Sequence, residues 1–205
     1  MSDADIKPAA PRLDEYLRDR IAPRYRQLVT AAEQRLAAAQ RDVDDLRGAT
    51  GTIAWEVTGS SPTLCYVNIA HGEMTVADRP QAEPFMTVSQ TETDWQRFTG
   101  GMGGLFGGDP RRPLGRARID RVRAIKGTVR FVLTGLSDGG SWTCILSFGA
   151  GPRPAEPQST VTLAAETVTK VQSGQLDPQM AFMQGQVKLS GDPGLAMQVG
   201  VALFM

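Results

Sequence analysis

A single histidine and two cysteines leave this chain of 205 residues with almost none of the side chains that hold metals. His71 stands alone, no cluster has metal-ligand spacing, and neither a metal nor a cofactor is expected. Charge of one sign is lacking as well: 22 basic residues face 22 acidic ones, so no net field draws a nucleic acid. No stretch approaches the ~18 uninterrupted apolar residues of a membrane span, and the opening MSDADIKPAAPRLDEYLRD has no apolar segment of the secretory kind. A cytoplasmic protein is the expectation, with Cys65 and Cys144 as buried or half-buried thiols rather than a disulfide. Neither a Gly-x-Ser-x-Gly elbow nor a phosphate loop closed by Lys-Ser/Thr occurs, which removes two common enzyme signatures. What remains, 41% apolar, 21% charged and 6% aromatic, is the composition of a globular protein, and its wealth of Ala, Arg and Gly points to a bacterial source.

What the chain does have is a repeat. GTIAWEVTG at residues 51–59 returns as GTVRFVLTG at residues 127–135. The likeness continues in order: Cys65 aligns with Cys144, Ala82-Glu83-Pro84 with Ala155-Glu156-Pro157, Glu92-Thr93 with Glu166-Thr167, Thr99-Gly100 with Ser173-Gly174, and Asp109-Pro110 with Asp177-Pro178. Two copies at so long a period suggest paired lobes rather than a solenoid. The expected organisation is an N-terminal helical arm, 1–47, followed by related lobes at 48–126 and 127–205.

Each lobe reads as α+β. Ile53, Trp55 and Val57 alternate with Ala54, Glu56 and Thr58, and Val129, Phe131 and Leu133 alternate in the same register, which gives two core-facing strand rows. Further strands are predicted at 63–70, 73–77, 85–88, 142–148 and 159–163. Helices are predicted at 91–98 and 164–172, each closed by a glycine. A last strand is predicted at 117–125 in one lobe and at 186–189 in the other. In the arm, Tyr25, Val29, Ala32, Leu36, Ala39, Val43 and Leu46 form a heptad seam on a helix from about Pro23 to Arg47, with a separate short helix over 13–21. That seam needs either the protein's own sheet or a homodimer partner to cover it. An apolar helix is expected over 194–204, too short to span a bilayer.

Asp177-Pro-Gln-Met-Ala-Phe-Met-Gln-Gly-Gln-Val-Lys-Leu-Ser-Gly-Asp192 resembles the segment of the sterol carrier protein type 2 sterol-binding family in which a Met-rich turn, a short strand and Gly-Asp lead into the last helix. Residues 159–174 fit the strand, helix and glycine that precede it there. The resemblance covers 127–205. It implies a mixed sheet covered by helices around a tunnel for sterols, fatty acids or acyl chains, without metal or catalytic triad. The first lobe matches only through its likeness to the second; it carries Arg111-Arg112-Pro113-Leu114-Gly115-Arg116 where the Met-rich turn belongs and lacks a terminal helix of its own.

The function expected is binding of a hydrophobic small molecule such as a lipid, sterol or polyketide-like compound; the alternative is a cofactor-independent cyclase or isomerase of natural-product biosynthesis acting in the same cavity. Ligand-contacting candidates are Trp55, Trp95, Phe98, Phe131, Trp142, Met180, Phe182, Met183 and Met197, since methionine and aromatic side chains suit an adaptable apolar wall. Met102 and Phe106, in the glycine-rich stretch 99–110, are candidates for a lid over that cavity. For catalysis the candidates are Glu56, which replaces a repeat-equivalent Val132 beside Trp55, together with Tyr66, His71, Asp94 and Arg97. The cations from Arg111 to Lys126 read as a solvated strand face or as a seat for an acyl carrier protein or coenzyme A phosphate.

Overall fold

The computed structural model describes residues 12–102, 114–149 and 154–204. Two compact units emerge, one ending at Asp44 and one beginning at Asp45. The first holds α1 (Leu13–Tyr16), a π-helical turn (Leu17–Ile21) and most of α2 (Ala22–Arg47), which run on without the expected break. Along α2 the seam residues Tyr25, Val29, Leu36, Val43 and Leu46 are exposed.

The second unit is α+β. Its strands are β1 (Gly51–Thr58), β2 (Thr63–Ala70), β3 (Glu73–Ala77), β4 (Pro84–Thr91), β5 (Gly127–Thr134), β6 (Trp142–Phe148), β7 (Ser159–Ala164) and β8 (Val187–Gly191). Its helices are α3 (Glu92–Arg97), continued by a π-helical turn (Phe98–Met102), α4 (Arg116–Arg123), α5 (Ala165–Gln172), α6 (Pro178–Met183) and α7 (Pro193–Phe204). All eight strands form one sheet in the order β3-β2-β1-β4-β6-β5-β7-β8.

The sequence repeat reappears as a repeat of strand pairing. β1 runs antiparallel to β2 and parallel to β4; β5 runs antiparallel to β6 and parallel to β7. Trp55 lies opposite Cys65, and Phe131 opposite Cys144, so the two cysteines hold the same place in each half. β1 and β4 separate the strands that carry them, which rules out a disulfide between them. The halves are shifted along the sheet, not folded face to face. β4 is followed in the sheet by β6, antiparallel, in the position that β8 takes beside β7. Equally, β6 has β4 as its antiparallel outer neighbour, where β2 has β3. Each half therefore borrows one strand from the other.

Alternation sorts the sheet into two faces. Ile53, Val88, Val129, Phe131, Leu133, Trp142, Leu146, Phe148 and Val161 join one core with Ile119 and Val122 of α4 and with Leu195, Ala196, Val199 and Ala202 of α7. Thr52, Asn68, Thr128 and Ser147 are buried on the opposite face under loops rather than helices. There the Gln81 and Ala82 amides donate to Asn68 Oδ1 (3.0 Å) and Thr52 Oγ1 (3.2 Å), and the Gln158 amide donates to the Thr128 carbonyl (2.9 Å).

Residues 116–123, expected as part of a strand, are helical. Ile119 and Val122 are spaced for one helix face and are almost wholly buried, while the arginines between them leave that face. α4 leads into β5 as the end of α2 leads into β1, and it packs on β4 as α7 packs on β7. The Met-rich turn is also a helix, α6. Asp-Pro opens both α6 and α7: Asp177 Oδ1 accepts from the Gln179 and Met180 amides, and Asp192 Oδ1 from those of Gly194 and Leu195.

Gly191 joins β8 to α7 at φ 85°, and a Cβ there would sit 2.2 Å from the Gln158 carbonyl oxygen. Gly191→Ala is expected to cost roughly 2 kcal/mol through strain and displacement of that backbone. Urea unfolding measures it; an unchanged midpoint would show that the loop carrying Gln158 yields freely.

Candidate functional site

On the helix-covered face, β1, β6, α3 and the π-helical turn bring four of the candidate aromatics together. Trp55 meets Trp95 edge-on with ring centroids 5.8 Å apart and Phe98 at 5.7 Å; Trp95 stacks on Phe98 (5.8 Å), and Phe98 on Trp142 (6.3 Å). Trp142 is buried, Trp55 and Phe98 half-buried, and Trp95 is 36% exposed. Beneath them Trp55 Nε1 donates to Gln90 Oε1 at 3.2 Å, which fixes the orientation of that buried amide. Its Nε2 finds no hydrogen-bond partner among the described residues. Gln90, a polar residue in a strand otherwise read for its apolar positions, was missed as a candidate. Phe131 is buried in the same core.

A second apolar group lies on α6 and α7. Met180 is 51% exposed, Phe182 47%, Met183 79%, Met197 61% and Val201 46%, while Ala181, Leu195 and Val199 hold the helices to the protein. Met102 belongs to the π-helical turn and its side chain lies outside what is described, as does Phe106 altogether.

Glu56 does not face the aromatic cluster. Strand alternation puts it on the opposite side of the sheet from Trp55, where Ser89 Oγ donates to its Oε2 at 2.8 Å. An acid acting on a substrate held between Trp55 and Trp95 is therefore not provided by Glu56, and Tyr66, opposite Ala54, is likewise on the far face. His71 is exposed in the turn after β2, at φ 55°. Asp94 is buried but bound for structural ends: Thr91 Oγ1 donates to its Oδ2 (2.6 Å), and the Thr143 amide of β6 donates to its Oδ1 (3.0 Å). Arg97 beside it donates to Asp138 and to the Ser141 carbonyl (2.6 Å), tying α3 to the β5–β6 hairpin. The Gly140 amide and then Arg97 hold the exposed Asp138 carboxyl below its usual range. Burial, and then the charge of Asp94, push the Cys144 thiol up to about 12, so it is no nucleophile.

The basic run is partly consumed within the fold. Arg118 donates to the Ala202 and Leu203 carbonyls, capping the negative end of α7. Arg123 donates to the Thr50 carbonyl (2.6 Å) and lies over the Phe85 ring (5.7 Å). Arg116, Arg121 and Lys126 stay exposed, and Arg111 and Arg112 lie outside the described residues. Among the described residues no group of three metal-ligating side chains forms, and no helix is long and apolar enough to cross a membrane.

Comparison with known proteins bears on the half that carries α6 and α7. Residues 113–203 match the SCP-2 sterol transfer family, a span that opens ahead of α4 and so extends upstream of the expected 127. Hydroxysteroid dehydrogenase-like protein 2 of Rattus norvegicus is 36% identical over 83 residues, 38% of this chain and 16% of that protein. Its Mus musculus namesake is 35% identical over 83 residues, 38% of this chain and 17% of that protein. The chain thus spans about a sixth of the length of these relatives. Among solved structures, Sterol Carrier Protein 2 Like 2 from Aedes aegypti is 24% identical, with 56% of this chain and 94% of that one covered at a TM-score of 0.32. Sterol Carrier Protein 2 from Yarrowia lipolytica is 17% identical, with 50% and 89% covered at a TM-score of 0.33. Residues 113–203, with α4, the β5–β8 strands and the methionine-bearing helices, constitute an SCP-2-like domain.

Proposed function

We propose that the protein binds a hydrophobic small molecule, a lipid or sterol-sized compound, and carries it rather than transforming it. The observation that carries this is the set of large apolar side chains left exposed on α6 and α7, inside the span that matches the SCP-2 sterol transfer family. Five such side chains on two short helices gain nothing from solvent and are ready to gain from contact with an apolar ligand. Burying about 300 Å² of ligand surface supplies on the order of 7 kcal/mol before association costs, enough for micromolar affinity with little polar chemistry.

Native mass spectrometry of the protein as purified, followed by titration with hexadecanoic acid and cholesterol, tests this. Met183→Asp and Met197→Asp place charges at exposed positions, so the unfolding midpoint should stay put while affinity falls about tenfold for each, the loss of one well-buried apolar contact. Unchanged affinity in both variants would move the ligand away from these helices. Absence of binding by either probe and of any co-purifying molecule would end the carrier assignment.

A further inference from the structure

The far face of the sheet holds a small cavity of about 220 Å³, where β1, β4, β5 and β6 meet the loop that precedes β7. It lies at the junction of the two halves, because Ser89 of β4 pairs with Ile145 of β6 and Thr87 with Ser147. Its polar members are Glu56, Ser89 and Ser147; Ile145, Pro154 and Pro157 supply apolar walls. Glu56 accepts the Ser89 hydroxyl. Ser147 is different: it is 8% exposed, and its Oγ has no hydrogen-bond partner among the described residues. A buried hydroxyl without a partner is costly, so a group that answers it has a reason to bind.

We propose that this cavity binds the hydroxyl of a small alcohol, separately from the apolar ligand proposed for the other face. The chemistry selects the group. A carboxylate offers about four acceptor positions, so Glu56 takes a further donor alongside Ser89. Ser147 brings a donor that needs an acceptor. An alcohol meets both needs with one oxygen, donating its proton to Glu56 and accepting from Ser147 Oγ. An ammonium group has donors only and leaves the Ser147 proton unanswered; a hydrocarbon answers neither. The apolar walls and the volume suit a stem about the size of a single six-membered ring.

Protein-observed NMR with cyclohexanol, cyclohexylammonium and methylcyclohexane tests the assignment on the whole chain. Cyclohexanol should give saturable shifts at the amides of Glu56, Ser89, Thr128 and Ser147. Ser147→Ala should weaken it about tenfold, as should Glu56→Gln, each removing one hydrogen bond from a shielded site. Ser147→Ala deletes only an unpartnered hydroxyl, so its urea midpoint should not fall, which keeps the loss of binding interpretable. Methylcyclohexane matching cyclohexanol would overturn the proposal by making the cavity a plain apolar one. So would tighter binding of cyclohexylammonium, or no saturable response to cyclohexanol, which leaves the cavity to water. Cyclohexanol binding that survives both substitutions would overturn it too.

Discussion

Exchange of Asp94 for leucine should lower global stability by about 3 kcal/mol, whereas exchange for asparagine should cost about 1 kcal/mol. The carboxylate is buried and holds two donors: the Thr91 hydroxyl at the start of α3, and the Thr143 amide at the start of β6. Leucine strips both, leaving a backbone N–H and a hydroxyl in a place water reaches poorly. It also loses the reciprocal arrangement in which the Asp94 amide donates to Thr91 Oγ1 (3.1 Å). Asparagine keeps an oxygen for Thr143 and turns an amide donor towards Thr91 Oγ1, which is able to accept it. Chemical denaturation of the three proteins measures the order. A carboxylate kept for its charge alone would make asparagine as damaging as leucine, and equal losses would reject this structural role. Because Asp94 links a helix of one half to a strand of the other, the leucine variant should unfold the whole unit rather than fray α3.

The second large effect is alkaline. Desolvation first, and the neighbouring Asp94 charge second, raise the Cys144 thiol from an ordinary 9.0 to about 12. A raised acid constant in the folded state means that the native protein keeps its proton where the unfolded chain releases one. The contribution is complete below pH 9 and is lost progressively as pH climbs towards 12, at about 1.4 kcal/mol per unit, or on the order of 4 kcal/mol across the window. Cys144→Ala removes the titration at the cost of a small cavity worth about 1 kcal/mol. The wild type should therefore be more stable at pH 7 and the variant more stable above roughly pH 10, so their urea stabilities cross. Parallel profiles would show that the thiol is hydrated. Iodoacetamide offers a second readout: half-buried Cys65 should react in the native protein, and Cys144 only after unfolding.

How much of this could be read from the residues alone differs by element. The GT-rich strands were visible because the same alternating row occurs twice, and both prove to have the same neighbours. Asp-Pro before each late helix, and glycine at the ends of α3 and α5, carried local signals strong enough to place those elements. α4 was misassigned because its position was inferred from the strand at the corresponding place in the second half. Ile119, Val122 and Ile125, three apart, spell a helical face and should have outweighed that analogy. The placement of Glu56 was available from alternation alone: if Trp55 faces the core row, its neighbour faces away. The strand exchange between halves was not legible, because a repeat states what pairs within a copy and is silent on which edges meet. Ser147 and Gln90 carry no sequence signal; only burial shows that each has a polar atom left over.

The borrowed strands also change what a half of this protein is. Cut between Lys126 and Gly127, the first piece would end in β4 with its outer edge bare, and the second would begin its sheet at β6 with the facing edge bare. Exposed edges of that kind recruit any strand that fits, including another copy of the same piece. The unit that repeats in the sequence is thus not the unit that can stand alone. Any attempt to transplant one half as a module would have to bring along a surrogate for the strand it no longer shares.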